Sequence, residues 1–332
     1  VPGLLSLGLS LVLLAIALRS FQWEEFTAVL GRTVLAEVVQ GLLVLTGSFL
    51  LRGLRWQVLL SADRSAPPLQ VLATTMVGYL GNDFLPARSG DVIRALAIGQ
   101  YAGISRLFAL ATILVERVVD AAVLVLLAVG LVLFAGLGLP PWAHSALPLV
   151  VLVVLLGLGG LLLAARLRLS LGALNQIGGR AGALLVVLRQ QAYAFQAGIQ
   201  AFNQPRRLLL FALLTGAIWT CDIFFALQVS EAVQLSLSVP QAVLLIAALG
   251  LASAVPSTPG YVGVYQFVAV TVLGPFGYSV SEAIAYIAAF QVLSYAIVIW
   301  WGGLALGWLQ WGSWLRRPSP ALEDIEPARP LR

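Results

Sequence analysis

Apolar residues run along this chain in blocks long enough to cross a membrane, but two of the blocks stop short. Full blocks lie at about 3–19, 34–52, 107–135, 146–165, 207–229 and 281–309, each close to the ~20 residues a helix needs to span a hydrocarbon core. Two further stretches, 69–98 and 240–275, are each interrupted by a Pro-x-x-x-Gly break, Pro86 to Gly90 and Pro256 to Gly260. Neither half of either stretch is long enough to cross alone. Broken backbone at membrane depth survives only where protein buries it or a wet cavity receives it. The pattern predicts an all-α polytopic membrane protein with about six full spans and two re-entrant helical hairpins.

Composition agrees. Hydrophobic residues make up 60% of the chain and charged residues 10%, against about 25% charge in soluble domains; mean hydropathy is +0.98. The net charge of +5 comes from arginine alone. These arginines cluster at the ends of apolar runs, which suits anionic lipid headgroups and argues against nucleic acid. With one cysteine, Cys221, and one histidine, His144, an intrachain disulfide and a Cys/His metal cluster are excluded. No cofactor is expected. The first apolar run lacks a basic flank and a cleavage site, so it reads as a retained helix. Residues 1–312 are expected to form one transmembrane domain and 313–332, rich in proline and acids, a disordered cytoplasmic tail.

Arginine placement sets the expected orientation. Arg52, Arg55 and Arg64 follow the second block, Arg166, Arg168, Arg180, Arg189, Arg206 and Arg207 lie between the fourth and fifth, and Arg316 and Arg317 come near the end. With both termini cytoplasmic, all of these fall inside, as basic residues should. The first hairpin then enters from the cytoplasm and the second from outside. Two matching breaks entering from opposite sides suggest an inverted repeat with a site near the midplane. Between the fourth and fifth blocks, the segment 166–206 carries Leu174, Ile177, Leu184, Leu188, Phe195, Ile199 and Phe202 at helical spacing among Arg and Gln. It reads as an amphipathic cytoplasmic segment on the inner leaflet.

The first hairpin gathers Asn82, Asp83, Arg88, Ser89, Asp91 and Arg94. A helix N-terminus beside a guanidinium makes a phosphate site, so Arg88 and Arg94 can hold a lipid phosphate. The alternative is that they pair with Asp83 and Asp91 and fix the hairpin. Glu116, Arg117 and Asp120 lie in an apolar helix, where charges are functional candidates by default. Glu116 and Asp120 share a face, and Arg117 is three residues from Asp120. One arginine between two acids leaves a surplus carboxylate for a proton; the competing reading is an ion-pair lock onto the first hairpin. Asp222 sits in mid-span without a basic neighbour at helical spacing, a candidate proton or substrate contact or a hydrogen-bonded core acid. Glu282, at a helix start, is structural. The second hairpin offers uncharged groups: Ser253, Ser257, Thr258, Tyr261, Tyr265 and Gln266, with Gly260 and Gly263 for close backbone approach. It reads either as the other wall of a headgroup cavity or as tight packing of small residues. Tryptophans 300, 301, 308, 311 and 314 suit an interfacial belt.

Phosphate-loop, serine-hydrolase, zinc-protease and dinucleotide motifs are all missing, so an enzyme is not expected. The segments L-P-A-R-S-G-D-V-I-R-A (85–95), S-R-L-F-A-L-A-T-I-L-V-E-R-V-V-D (105–120) and P-S-T-P-G-Y-V-G-V-Y (256–265) resemble the membrane domain of lysylphosphatidylglycerol synthases. The resemblance runs from about residue 55 to 309. It implies a flippase-like role: in bifunctional relatives this part is associated with moving aminoacylated phosphatidylglycerol to the outer leaflet. Because the chain ends soon after its last helix, the synthase half is expected to be absent. Arg88, Asp91, Arg94, Glu116, Arg117 and Asp120 match the family's first polar motif, and Pro256, Pro259 and Gly260 its second. Tyr265-Gln266 stands where the family commonly has an acid.

The expectation is therefore a translocator of a phospholipid or lipid-linked headgroup. Arg88, Asp91, Arg94, Ser257, Gly260, Tyr261 and Tyr265 would bind substrate, and Glu116, Arg117, Asp120 and Asp222 would form a charge relay or lock. It would sit in a bacterial or archaeal cytoplasmic membrane, and a separate lipid-synthesising enzyme as partner and an oligomeric state are both compatible with it. The alternative is a membrane enzyme or accessory subunit acting on polyprenyl-phosphate or glycolipid substrates.

Overall fold

A computed structural model describes residues 2–62, 65–85, 88–134, 204–254 and 258–315, with short helical stretches between 148 and 160. Every regular element among the described residues is helical. The helices are α1 (Pro2–Ala17), α2 (Trp23–Gly31), α3 (Leu35–Leu60), α4 (Pro68–Phe84), α5 (Ser89–Ala102), α6 (Arg106–Phe134), α7 (Pro205–Ala232), α8 (Val239–Ala252), α9 (Val264–Leu273) and α10 (Val280–Leu315). A one-turn 3-10 helix, Pro259–Tyr261, joins α8 to α9. Of these, α3, α7 and the Val280–Trp311 part of α10 are long and apolar enough to cross a membrane.

Local sequence starts and stops these helices. α4 and α7 open with proline in the first turn, where the missing N–H costs nothing. α8 begins at a capping box in which the Ser238 amide donates to Gln241 Oε1 at 2.8 Å. At the start of α10, the Ser279 amide donates to Glu282 Oε2 (2.8 Å) and the Glu282 amide to Ser279 Oγ (3.1 Å). Glu282 is thus a reciprocal cap. α5 stops at Gly103, which is left-handed at φ 67°.

Two pairs of short helices flank the centre. α4 and α5 run antiparallel, and three glycines let them touch. A Cβ on Gly90 would drive into the backbone of Gly78 and Asn82, and one on Gly81 would lie 2.8 Å from the Gly90 Cα. The pair α8 and α9 turns through Gly260 and Gly263, both at positive φ. A side chain at Gly263 would strike the Ser10 carbonyl of α1. The two glycines that follow the prolines therefore do different work: Gly90 permits close helix approach, whereas Gly260 supplies a left-handed turn. α3 and α7 pack antiparallel, with Gly41 against Phe225 and Arg55 beside Thr215.

A few charged side chains are buried in a mainly apolar interior, and large apolar side chains are exposed on the outside. Arg55, Arg94, Glu116 and Asp120 are buried, while Leu43, Leu126, Leu213 and Trp300 are exposed. That distribution suits a protein solvated by lipid. It is an all-helical membrane protein.

The second apolar block needs correction. It does not end near residue 52: α3 continues to Leu60, so Arg52 and Arg55 lie inside a helix and not in a cytoplasmic loop. Buried acids from distant segments neutralise them, which hydropathy along the chain cannot reveal. Of the three arginines after that block, only Arg64 is left to count toward orientation, and it lies outside the described residues. Between the first two apolar blocks lies α2, and α10 extends past residue 312 to Leu315. His144, half of the 146–165 block, the amphipathic segment up to 203 and the tail from 316 lie outside the described residues.

Candidate functional site

A cavity of ≈ 290 Å³ lies where the two hairpins approach α3, α6, α7 and α10. Its polar lining includes Arg52, Asp83, Arg88, Arg117, Asp120 and Asp222; Leu45, Phe49, Leu124, Phe225, Ile246 and Val298 supply apolar wall. Polar and greasy surfaces thus meet in one space, as an amphiphile requires.

Most of the charge around this space is paired. Arg55 grips Asp120 with two hydrogen bonds, at 2.6 and 2.9 Å, and its Nε lies 3.4 Å from Glu116. Arg94 donates to Glu116 at 3.0 Å and stacks on the Trp56 ring, 3.7 Å from its centroid. Arg117 holds Asp91 through two bonds, at 3.1 and 2.8 Å. Asn82 Nδ2 donates to Asp91 at 3.0 Å, while the Asp91 amide donates back to Asn82 Oδ1 at 3.2 Å. Arg52 binds Asp222, which also accepts from Ser48 Oγ at 2.6 Å.

These pairs bear on the readings left open by sequence. Glu116 and Asp120 do share a face, and that face meets Arg55 of α3. Arg117 turns away from Asp120 toward Asp91. No surplus carboxylate remains in this cluster, since Arg55, Arg94 and Arg117 meet Asp91, Glu116 and Asp120. The ion-pair lock between α6 and the first hairpin is present. Arg94, 3% exposed, belongs to that lock and does not line the cavity. Asp222 has a partner after all, one that comes from another helix.

Arg88 differs from the other arginines. It sits at the N-terminus of α5 with φ 53°, and its partners are neutral: Nη2 donates to Ser253 Oγ at 2.7 Å and Nε to Tyr261 Oη at 3.3 Å. Ser253 and Tyr261 belong to the second hairpin, so this one side chain joins the two. Tyr261 is also left-handed, at φ 57°. A non-glycine residue in that region is strained, and such strain gathers at functional sites. Among the described residues, two of the three non-glycine residues at positive φ touch each other here.

On the second hairpin, Tyr261 stacks on Tyr265, with centroids 4.9 Å apart and planes at 10°. Both tyrosines line the cavity. The Gly260 carbonyl accepts from Gln291 Nε2 at 2.8 Å and from Tyr295 Oη. Gln266 is spent on structure: it caps α9 at the Gly263 amide (2.7 Å) and bonds Gln291 (2.7 Å). Pro86, Pro256 and Ser257 lie outside the described residues.

Sequence reading passed over Arg52, Arg55, Tyr79, Trp219, Gln291 and Tyr295. A signal for the first two was available, because Ser48, Arg52 and Arg55 follow spacings of four and three and share one helical face.

Comparison with known proteins gives one family. The sequence model described as Lysylphosphatidylglycerol synthase TM region matches residues 3–302. No curated protein matched the chain.

Proposed function

Because this chain belongs to the family of the lysylphosphatidylglycerol synthase TM region, a membrane domain, we propose that it moves the headgroup of an anionic phospholipid or lipid-linked phosphate between leaflets. The single observation behind this reading is the amphiphilic cavity bridged by Arg88. Among the described residues the Arg88 guanidinium is held by two neutral hydroxyls, which keeps its charge available, and a phosphate oxygen is a stronger acceptor than either hydroxyl. The N-terminus of α5 adds partial positive charge at the same place.

Helix lengths support re-entrant hairpins, which in this reading enter from opposite faces. At ~1.5 Å per residue, α4, α5, α8 and α9 reach only about 26, 21, 21 and 15 Å, short of the ~30 Å core. The cavity is near the lower end of ligand pockets, roughly 300–1,000 Å³. It suits a headgroup, with the acyl chains left in the bilayer. In this reading the substrate is the membrane's own lipid, no covalent step or cofactor is needed, and a separate enzyme makes the lipid. The protein sits in a bacterial or archaeal cytoplasmic membrane with both termini inside.

The test is leaflet exchange of headgroup-intact fluorescent phosphatidylglycerol in liposomes containing the purified chain. Wild type should accelerate exchange without altering the lipid, and Arg88→Ala should reduce the accelerated rate at least ~10-fold, the loss of one charge-assisted hydrogen bond or more. Full exchange by Arg88→Ala would remove Arg88 from the site. Covalent conversion of the lipid by wild type would favour an enzyme acting on lipid phosphates.

A further inference from the structure

The charged groups that reach the cavity fall into two kinds. Arg52 and Asp222 neutralise each other, Arg117 is held by Asp91, and Asp120 by Arg55. Asp83 and Arg88 are not neutralised in this way. Asp83 lines the cavity from the last turn of α4. Among the described residues its carboxylate makes no ion pair and no hydrogen bond. Among the described residues Arg88 hydrogen-bonds only the hydroxyls of Ser253 and Tyr261, and it lines the same cavity as Asp83. The remaining titratable groups here are phenols. Tyr265 of α9 and Tyr295 of α10 line the same cavity as Asp83; Tyr261 accepts from Arg88, and Tyr79 of α4 accepts from Arg52 at 3.5 Å.

With Asp83 ionised, its charge and that of Arg88 in the same cavity sum to zero. A phosphate arriving at Arg88 brings a second negative charge next to the Asp83 carboxylate. In a confined, partly desolvated space, two anions sharing one guanidinium repel, and the cheapest relief is to protonate the carboxylate. We propose that Asp83 takes up one proton as a lipid phosphate binds Arg88, so that lipid and proton occupy the cavity together. The balance closes: carboxylate plus proton gives carboxyl, the phosphodiester replaces Asp83 as the anion facing Arg88, and the unpaired charge stays zero. A transmembrane proton gradient then biases lipid exchange in the direction of proton flow. This inference rests on the translocator reading and adds what is carried with the lipid.

The experiment is calorimetric titration of the full detergent-solubilised chain with dihexanoylphosphatidylglycerol, in buffers of differing ionisation enthalpy, from about pH 5 to about pH 9. Wild type should take up a large fraction of one proton per lipid over part of that range. Asp83→Asn should bind lipid without proton uptake and with pH-independent affinity, while Asp83→Glu should keep the uptake. Lipid binding by wild type with no proton taken up at any pH overturns the proposal and leaves translocation intact, as does wild-type uptake by Asp83→Asn. If Asp83→Asn fails to fold, wild type and Asp83→Glu decide. Absence of both lipid binding and leaflet exchange in wild type would end the translocator reading and this proposal together.

Discussion

The two hairpins face one cavity but are built from different materials. The first is charged and rigidly mounted: glycines bring α4 and α5 into backbone contact, and ion pairs bolt α5 to α6 through Arg94–Glu116 and Asp91–Arg117. The second presents no charged side chain to the cavity. It turns through left-handed residues and is held by neutral hydrogen bonds from Gln291 and Tyr295 to the Gly260 carbonyl. A net neutral hydrogen bond contributes about 0.5–1.5 kcal/mol, whereas removing one partner of a buried ion pair costs roughly 3–5 kcal/mol. The contrast teaches a division of labour. The first hairpin supplies and positions charge; the second meets it with neutral groups. Arg88 is where the two meet.

Breaking the rigid side should have the larger effect. Glu116→Ala strands Arg94 and leaves Arg55 with Asp120 alone. It should destabilise the protein by roughly 3–5 kcal/mol, read as a large fall in thermal midpoint in detergent, alongside Arg88→Ala, which should unfold near wild type. Equal midpoints for the two variants would dissolve the distinction between lock and hand. Sharpening the softer side calls for a smaller change. Tyr261→Phe removes one hydroxyl that Arg88 donates to and should alter exchange only a few-fold, as about 1 kcal/mol or less implies. Loss of exchange as complete as in Arg88→Ala would mean that the second hairpin carries more of the site than its neutral chemistry suggests.

The sequence made some of this legible and hid the rest for physical reasons. Hydropathy located α1, α6, α7 and α10 and both broken stretches, because lipid-facing helices advertise themselves by apolar run length. The i, i+4 spacing of Glu116 and Asp120 correctly put them on one face. Hydropathy misled at α3, where Arg52 and Arg55 looked like the end of a span. A buried arginine is tolerated when an acid meets it, and those acids, Asp222 and Asp120, lie 170 and 65 residues away. The same distance concealed Asp222's partner and the reach of Arg88 to Ser253. Spacing within one helix shows which groups share a face; only folding shows what that face meets.

The central claim is that a lipid headgroup enters the space between the hairpins, and photolabelling tests it most directly. A phosphatidylglycerol carrying a diazirine beside its phosphate, irradiated with the reconstituted chain, should mark residues 79–88 and 261–265, and excess unlabelled phosphatidylglycerol should suppress that labelling. Adducts confined to the outer faces of α3, α7 and α10, with none at the cavity, would contradict it.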